Sequence, residues 1–272
     1  MWNARNGSVP VGLTEMHYAA FGTGKKILIA LPGLSDGLRT VKGMAQVLAL
    51  PYRHYLKDWT VYMFSRKNDM PDGYTIRQMA GDQAEALEKL GISHCSVLGV
   101  SQGGMIAQYL AADHPEAVEQ LVLAVTAPYT NDMVRENVER WLTITEKNDH
   151  KALMIDTAEH YYTEPYLRKY RMMYPVLGMV GKPETYDRFR INAQAILSFD
   201  ARNDLSGITC PVYIIAGRQD RIVGVKASEV LHEMIPQSEC YIYDHCGHAP
   251  NEEDKQFYDR IFTWLNRKKE SV

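Results

Sequence analysis

Residues 95–107 decide the fold and read Cys-Ser-Val-Leu-Gly-Val-Ser-Gln-Gly-Gly-Met-Ile-Ala. The first six are apolar or small, which indicates a short buried strand, and the residues after Ser101 are small and compatible with a helix. Between the two lies Gly-x-Ser-x-Gly, whose glycines suit a sharp turn with no room for side chains beside the serine. The pattern predicts an exposed hydroxyl at a strand end, next to a helix N-terminus. A glycine-rich turn that only packs helix on strand is the structural alternative.

Strand and helix patterns alternate on both sides of this turn. The strands have no polar face, as expected when helices cover both sides of a parallel sheet. Strands are predicted at residues 16–20, 27–31, 59–64, 95–100, 119–126, 211–216 and 240–243. Helices are predicted at residues 76–90, 103–113, 225–235 and 252–265. The fold class is therefore α/β, with a doubly wound and mostly parallel sheet.

One block interrupts this alternation. Residues 128–206 show no strand pattern, and helical spacing appears at residues 134–145, 151–162 and 186–197. We therefore predict a core formed by residues 1–127 and 207–272, with residues 128–206 inserted as a helical cap. The cap contains a cluster that either roofs a substrate pocket or forms the cap's own core: Tyr161, Tyr162, Tyr166, Tyr170, Met172, Met173, Tyr174 and Met179.

A serine hydroxyl needs a histidine base and a carboxylate that orients the base. Asp220 comes directly after the predicted strand at 211–216, and His248 lies in a loop after the next strand. Both would stand at the same sheet edge as Ser101, in the order Ser, Asp, His. His245 is an alternative base, and Asp132 is an alternative acid.

With these residues the chain resembles the α/β-hydrolase superfamily over residues 13–265, and the resemblance implies the α/β-hydrolase fold. The return from cap to core, FDARNDLSGITCPVYIIAGRQDRIV, is similar to the family's pattern. The resemblance implies that Ser101, Asp220 and His248 are catalytic, and that the backbone amides of Leu34 and Gln102 form an oxyanion hole. Many relatives carry His-Gly where this chain has Pro32-Gly33. A serine at position 101 points away from dehalogenases and epoxide hydrolases, which use a carboxylate.

The composition and charge of the chain argue against several classes of binding partner. Thirty basic and thirty-three acidic residues give a net charge of −3, without a basic run for nucleic acid. No apolar run is long enough to span a membrane, and the four cysteines form no CxxC pair, so we predict a cytoplasmic protein. We expect no cofactor and no metal, although the run from Asp244 to His248, with Cys240, has ligand-type side chains. The sequence carries no indication of oligomeric state.

The predicted activity is that of a carboxylesterase-like serine hydrolase, which cleaves a small ester or thioester with an apolar or aromatic acyl or alcohol part. An aminopeptidase with the same triad is one alternative, and it would need cap carboxylates such as Glu159 and Glu164 to bind an ammonium group. A C–C bond hydrolase is another alternative. A ligand-binding protein that retains the triad without turnover is the alternative from a different class.

Overall fold

The computed structural model describes residues 1–267 and contains one eight-stranded sheet. Its strands are β1 (Arg5–Val11), β2 (Thr14–Gly22), β3 (Lys26–Leu31), β4 (Trp59–Lys67), β5 (Cys95–Val100), β6 (Val118–Ala124), β7 (Val212–Gly217) and β8 (Ser238–Tyr243). The strand order is β1-β2-β4-β3-β5-β6-β7-β8. Antiparallel pairing joins β1 to β2 and β2 to β4, and all other neighbours are parallel. The predicted fold class is confirmed.

Ten α-helices lie between and beside these strands within the described residues. They are α1 (Ala45–Leu48), α2 (Ile76–Lys89), α3 (Gln102–Asp113), α4 (Asp132–Glu146), α5 (His150–Tyr161), α6 (Glu164–Tyr170), α7 (Asp187–Leu197), α8 (Val225–Met234), α9 (Pro250–Glu253) and α10 (Phe257–Leu265). None of the described helices is long and apolar enough to cross a membrane. Helices α4 to α7 occupy the segment between β6 and β7. The assignment of residues 128–206 to a separate cap domain stays a prediction, and we call this segment the cap.

Two apolar layers cover the sheet, one on each face. In β3, Ile29 and Leu31 belong to one apolar layer, whereas Leu28 and Ala30 belong to the other. Alternate side chains of a strand point to opposite faces, so a central strand between two layers must be apolar throughout. This is the physical reason for the continuous apolar runs in the sequence.

Two elements differ from the sequence prediction. The pattern analysis missed β1, because Arg5–Val11 contains asparagine, glycine and proline; it lies at the sheet edge, where such residues are tolerated. The closing helix was predicted as continuous over residues 252–265 but is broken between α9 and α10. At the break, the Asp254 side chain accepts a hydrogen bond from the backbone amide of Gln256 at 2.7 Å.

Candidate active site

Ser101 occupies the sharp turn between β5 and α3. Its backbone has φ 54° and ψ −119°, a conformation that costs a non-glycine residue roughly 1–3 kcal/mol. Hydrogen bonds at both the amide and the carbonyl of Ser101 hold this conformation. The Ser101 amide donates to the carbonyl oxygen of Ala124 at 2.9 Å, and the Ser101 carbonyl oxygen accepts from the Gly104 amide and the Thr126 hydroxyl, each at 2.8 Å. The turn therefore presents the half-buried hydroxyl at the carboxyl edge of the sheet.

The glycines at 99 and 103 are required by close backbone contacts. A Cβ atom on Gly103 would lie 2.0 Å from the carbonyl oxygen of Leu31, and one on Gly99 would lie 2.5 Å from the carbonyl oxygen of Gly103. Carbon and oxygen cannot approach so closely, so any side chain would push α3 away from the sheet. The Gly-x-Ser-x-Gly pattern therefore sets the distance between helix and strand as well as the turn.

His248 and Asp220 meet Ser101 at the same edge. His248 Nε2 lies 2.9 Å from Ser101 Oγ, and His248 Nδ1 lies 2.7 Å from Asp220 Oδ2. The other Asp220 oxygen accepts from the backbone amides of Ile222 and Val223 at 2.8 and 3.0 Å. His248 and Asp220 are both buried, at 1% and 6% exposure. The three side chains thus form one hydrogen-bonded line from a buried carboxylate to the serine.

The loop after β3 lies against Ser101. A Cβ atom added to Gly33 would be 3.3 Å from Ser101 Cβ and 3.8 Å from Ser101 Oγ, so this loop and the serine are in direct contact. Leu34 begins a 3₁₀ turn, Leu34–Gly37, and Gln102 is the first residue of α3. Neither of their backbone amides donates a hydrogen bond to another group in the part of the chain that the structure describes. The Pro32-Gly33 sequence therefore leaves both amides able to donate to a ligand.

A buried arginine connects the two sides of this region. Arg66 Nη2 donates to the Pro32 carbonyl oxygen at 2.7 Å and to Gln102 Oε1 at 2.9 Å. The Arg66 backbone amide donates to Asp36 Oδ2 at 3.0 Å, and the same oxygen accepts from Arg188 Nη2 in α7 at 2.7 Å. We call Asp36, Arg66 and Arg188 the buried cluster. It joins the loop after β3, the start of α3 and the cap.

A cavity of about 280 Å³ lies over Ser101 and His248, near the lower end of the roughly 300–1,000 Å³ typical of ligand pockets. Apolar side chains from the cap, including Val134, Val138 and Trp141, form much of its wall. A larger groove of about 630 Å³ lies beside α2 and residues 114–117, at the opposite, amino-terminal edge of the sheet. The smaller cavity is therefore the candidate substrate pocket.

The cap is attached directly to the residues around His248. The His248 amide donates to the Tyr161 carbonyl oxygen at 2.8 Å. Glu253 Oε1 accepts from the amide and the hydroxyl of Thr163, both at 2.7 Å, and Arg221 donates to the carbonyl oxygen of residue 162 at 3.0 Å. These bonds fix the end of α5 above the histidine.

The tyrosines of the cap cluster take part in both roles left open by the sequence. All five tyrosines pack in one small apolar cluster with Ala158, Leu167 and Ala249, and three of them, Tyr161, Tyr162 and Tyr170, also line the cavity. The three methionines of the cluster are exposed: Met172 at 82%, Met173 at 51% and Met179 at 77%.

The alternative residues considered from the sequence lie outside the line of Ser101, His248 and Asp220. His245 is exposed and bonds to Asp254 at 2.8 Å, and Asp132 forms no hydrogen bond with His248 among residues 1–267. Glu159 and Glu164 are both bound by Arg171, at 2.8 and 2.6 Å, and neither lines the cavity.

Three side chains of types that bind metals come together in and near the loop that contains His248. His245, Cys246 and Asp254 have ligand atoms within 4.8 Å of one another. Burial raises the pKa of the Cys246 thiol to about 12, which opposes the thiolate form that binds metals. The other two side chains of the group, His245 and Asp254, are hydrogen-bonded to each other.

Sequence reasoning missed several residues that shape this site. Thr126 holds the Ser101 carbonyl, and the neighbouring Val125 is buried with φ 45°, which is unusual for a β-branched residue. The members of the buried cluster come from three distant segments, so no local pattern marks them. Glu252 lines the cavity and was also not predicted. The one sequence feature that could have indicated Glu252 is its position four residues after His248.

Comparison with known proteins identifies the family of this fold. A family model described as alpha/beta hydrolase fold matches residues 26–255. The chain is 25% identical over 275 residues to "Putative carbamate hydrolase RutD" of Stutzerimonas stutzeri, covering 90% of this chain and 94% of that protein. It is 28% identical over 169 residues to the pimeloyl-[acyl-carrier protein] methyl ester esterase of Nitrosomonas europaea, covering 57% and 64%. The crystal structure of MGS-M2, an alpha/beta hydrolase from a Medee basin deep-sea metagenome library, superposes with a TM-score of 0.84 at 18% identity, covering 98% and 99%.

Proposed function

This chain belongs to the α/β-hydrolase fold family, and from that premise we propose that it is a serine hydrolase that cleaves a small ester or thioester. One observation carries the proposal: hydrogen bonds of 2.9 and 2.7 Å link Ser101, His248 and Asp220 beside a mostly apolar cavity. Such a line is the arrangement by which a neutral serine becomes a nucleophile.

In the proposed reaction, Ser101 Oγ attacks the carbonyl carbon while His248 Nε2 takes the hydroxyl proton. Asp220 holds the Nδ1–H and stabilises the imidazolium that forms. The developing oxyanion accepts hydrogen bonds from the Leu34 and Gln102 amides, and loss of one such donor typically costs about 10²–10³ in kcat. His248 then gives its proton to the departing alcohol or thiol. Water, deprotonated by His248, hydrolyses the acyl-enzyme and restores the serine.

The size and lining of the cavity support a small substrate with an apolar acyl part. A carbamate is the second candidate, because the relative covered over most of its length carries that description. Carbamate cleavage would use the same serine, histidine and oxyanion donors. The aminopeptidase alternative loses the two cap carboxylates on which it depended, since Arg171 binds both. A cytoplasmic location stays a prediction from the sequence.

The test is to incubate the protein with p-nitrophenyl esters of increasing chain length, a p-nitrophenyl carbamate and a fluorophosphonate probe. We expect turnover of short esters and labelling at Ser101, with both lost in Ser101→Ala. Absence of turnover and of labelling in the wild type would instead support the ligand-binding alternative. Labelling without ester or carbamate turnover would favour the peptidase or C–C hydrolase alternatives, to be assayed with amino-acid anilides and vinylogous diketones.

A further inference from the structure

The candidate pocket has two chemically different walls. One is apolar and includes Leu34, Leu38, Val138, Trp141 and Ile196. The other, which we call the tyrosine wall, consists of Tyr161, Tyr162, Tyr170 and Glu252. A pocket with this division is suited to a substrate whose two ends differ in the same way.

Glu252 brings a carboxylate to this wall without a cationic partner. Its Oε2 accepts a hydrogen bond from the Tyr162 hydroxyl at 2.8 Å. Among residues 1–267, no lysine, arginine or histidine forms an ion pair with it, in contrast to Glu159 and Glu164, which Arg171 neutralises. Glu252 is an exposed residue that also lines the cavity, so its carboxylate is accessible to a ligand that enters from solvent. A bound cation would supply the positive charge that the carboxylate lacks.

The aromatic rings reinforce that preference. The Tyr162 ring lies 5.1 Å from the Tyr161 ring and 4.9 Å from the Tyr170 ring, measured between centroids. The faces of such rings are electron-rich and attract cations, and quaternary ammonium groups are commonly bound by clusters of aromatic side chains. Three tyrosines with one unpaired carboxylate are complementary to an alkylammonium group.

The tyrosine wall adjoins the group that would protonate the leaving group. Tyr161 packs edge-on against the His248 ring at 5.1 Å between centroids, and Glu252 follows His248 by four residues. Leu34 and Leu38 of the apolar wall belong instead to the loop after β3, which would hold the carbonyl oxygen. The alcohol part of an ester would therefore face the tyrosines, and the acyl part would face the apolar wall.

We propose that the tyrosine wall is a binding subsite for an alkylammonium group carried on the alcohol part of the substrate. The inference rests on the proposed serine hydrolase function for the placement of that alcohol. Hydrolysis would release a carboxylic acid and an amino alcohol, with one water consumed. The apolar wall would set the acyl chain, and Glu252 with the tyrosines would select the charge of the leaving group.

The experiment compares butyrylcholine with 3,3-dimethylbutyl butyrate, which has the same shape but carries carbon in place of the charged nitrogen. We expect kcat/KM to be about tenfold higher for the cationic ester, in line with the combined cation–π and ionic attraction. In Glu252→Gln this ratio should fall to about threefold, because the attraction of the aromatic rings remains, and the rate for the neutral ester should change by less than about threefold. Glu159→Gln is the matched control, and it should keep the wild-type ratio.

A second pair of variants tests the aromatic ring of Tyr170 separately from the charge of Glu252. Tyr170→Phe should keep the preference for the cationic ester, whereas Tyr170→Leu should reduce it. Equal rates for both esters, or a ratio that Glu252→Gln leaves unchanged, would overturn the subsite while leaving the hydrolase proposal intact. If neither ester is cleaved and Ser101 is not labelled, the hydrolase proposal fails, and calorimetric titration with choline still tests the subsite. Equal choline affinity in wild type and Glu252→Gln would then reject it.

Discussion

Two arginine–carboxylate clusters in this molecule have similar chemistry but opposite environments. The buried cluster of Asp36, Arg66 and Arg188 lies behind the loop after β3, and the Asp36 side chain is 0% exposed. The surface cluster of Glu159, Glu164 and Arg171 lies on the cap, where the Arg171 side chain is 40% exposed and that of Glu164 is 53% exposed. Both contain hydrogen-bonded ion pairs shorter than 3 Å. Distance alone does not distinguish them.

The pKa values of the arginines show what burial changes. Burial lowers the pKa of Arg66 to about 10, with Asp36 opposing that effect. The carboxylates raise the pKa of Arg171, which remains hydrated. The charge on Arg66 therefore depends on its neighbours, whereas the charge on Arg171 is favoured by water and carboxylates together. Removing a partner should be costly in the first cluster and nearly free in the second.

The largest effect is expected for Asp36→Asn. This change leaves Arg66 and Arg188 without their buried counter-charge, and breaking such a pair typically costs about 3–5 kcal/mol of unfolding free energy. For a chain of this size the midpoint of thermal unfolding should fall by roughly 10 °C. Calorimetry or thermal circular dichroism measures the shift.

Asp244→Asn is the matched control, because Asp244 forms an exposed pair with Arg218 at 2.6 Å. Its midpoint should barely change. Addition of Arg188→Met to Asp36→Asn should recover part of the stability by removing one uncompensated charge. Similar losses for Asp36→Asn and Asp244→Asn would contradict the distinction between buried and surface clusters.

A smaller and more specific effect is expected for Arg66→Lys. Lysine keeps the charge, but Arg66 Nη2 alone contacts both the Pro32 carbonyl and the Gln102 side chain, and the shorter lysine side chain places its ammonium group short of that position. Because these contacts position the two proposed oxyanion donors, kcat for a p-nitrophenyl ester should fall about 10–100-fold, with KM changed less than about threefold. Steady-state kinetics measures the two constants separately.

Arg218→Lys provides the control for this substitution, since Arg218 is exposed and, among residues 1–267, forms an ion pair only with Asp244. It should leave kcat unchanged. If Arg66→Lys raised KM at constant kcat, Arg66 would act on substrate binding and not through the oxyanion donors. That result would reject the positioning role.

The smallest effect is expected for Arg171→Ala in the surface cluster. Exposed ion pairs contribute little, so the unfolding midpoint should fall by no more than about 2 °C, and the difference should shrink in 1 M salt. Arg171 lowers the pKa of Glu159 to about 2, so the stabilisation is complete above the ordinary glutamate pKa. This stabilisation should be lost as the pH falls through the lowered pKa of Glu159.

Unfolding of wild type and Arg171→Ala at pH 7, 4 and 2.5 measures this dependence. The difference between the two proteins should be constant at neutral pH and decrease at the acidic end. A difference that grows on acidification would show that another group is responsible.

Much of the proposed site could be predicted from the sequence, because its signals are local. The strained serine requires glycines two residues away on each side, and the acid and histidine follow directly after strands whose ends share one edge of a parallel sheet. The first strand could not be predicted, since an edge strand tolerates glycine and proline. Which carboxylate faces the pocket was also beyond the sequence. Glu159 and Glu164 had cap positions suited to that role, yet Arg171 binds both and Glu252 lines the cavity.

The sequence by itself thus determined the fold class, the turn at Ser101 and the order of the three proposed catalytic side chains. These features are written in short-range patterns of glycine spacing and apolar runs. Only the tertiary structure decided that Asp36, Arg66 and Arg188 meet behind the oxyanion loop, and that tyrosines and Glu252 form one wall of the pocket. These groups come from segments far apart in the chain, and packing of the cap on the sheet decides which charges keep their water.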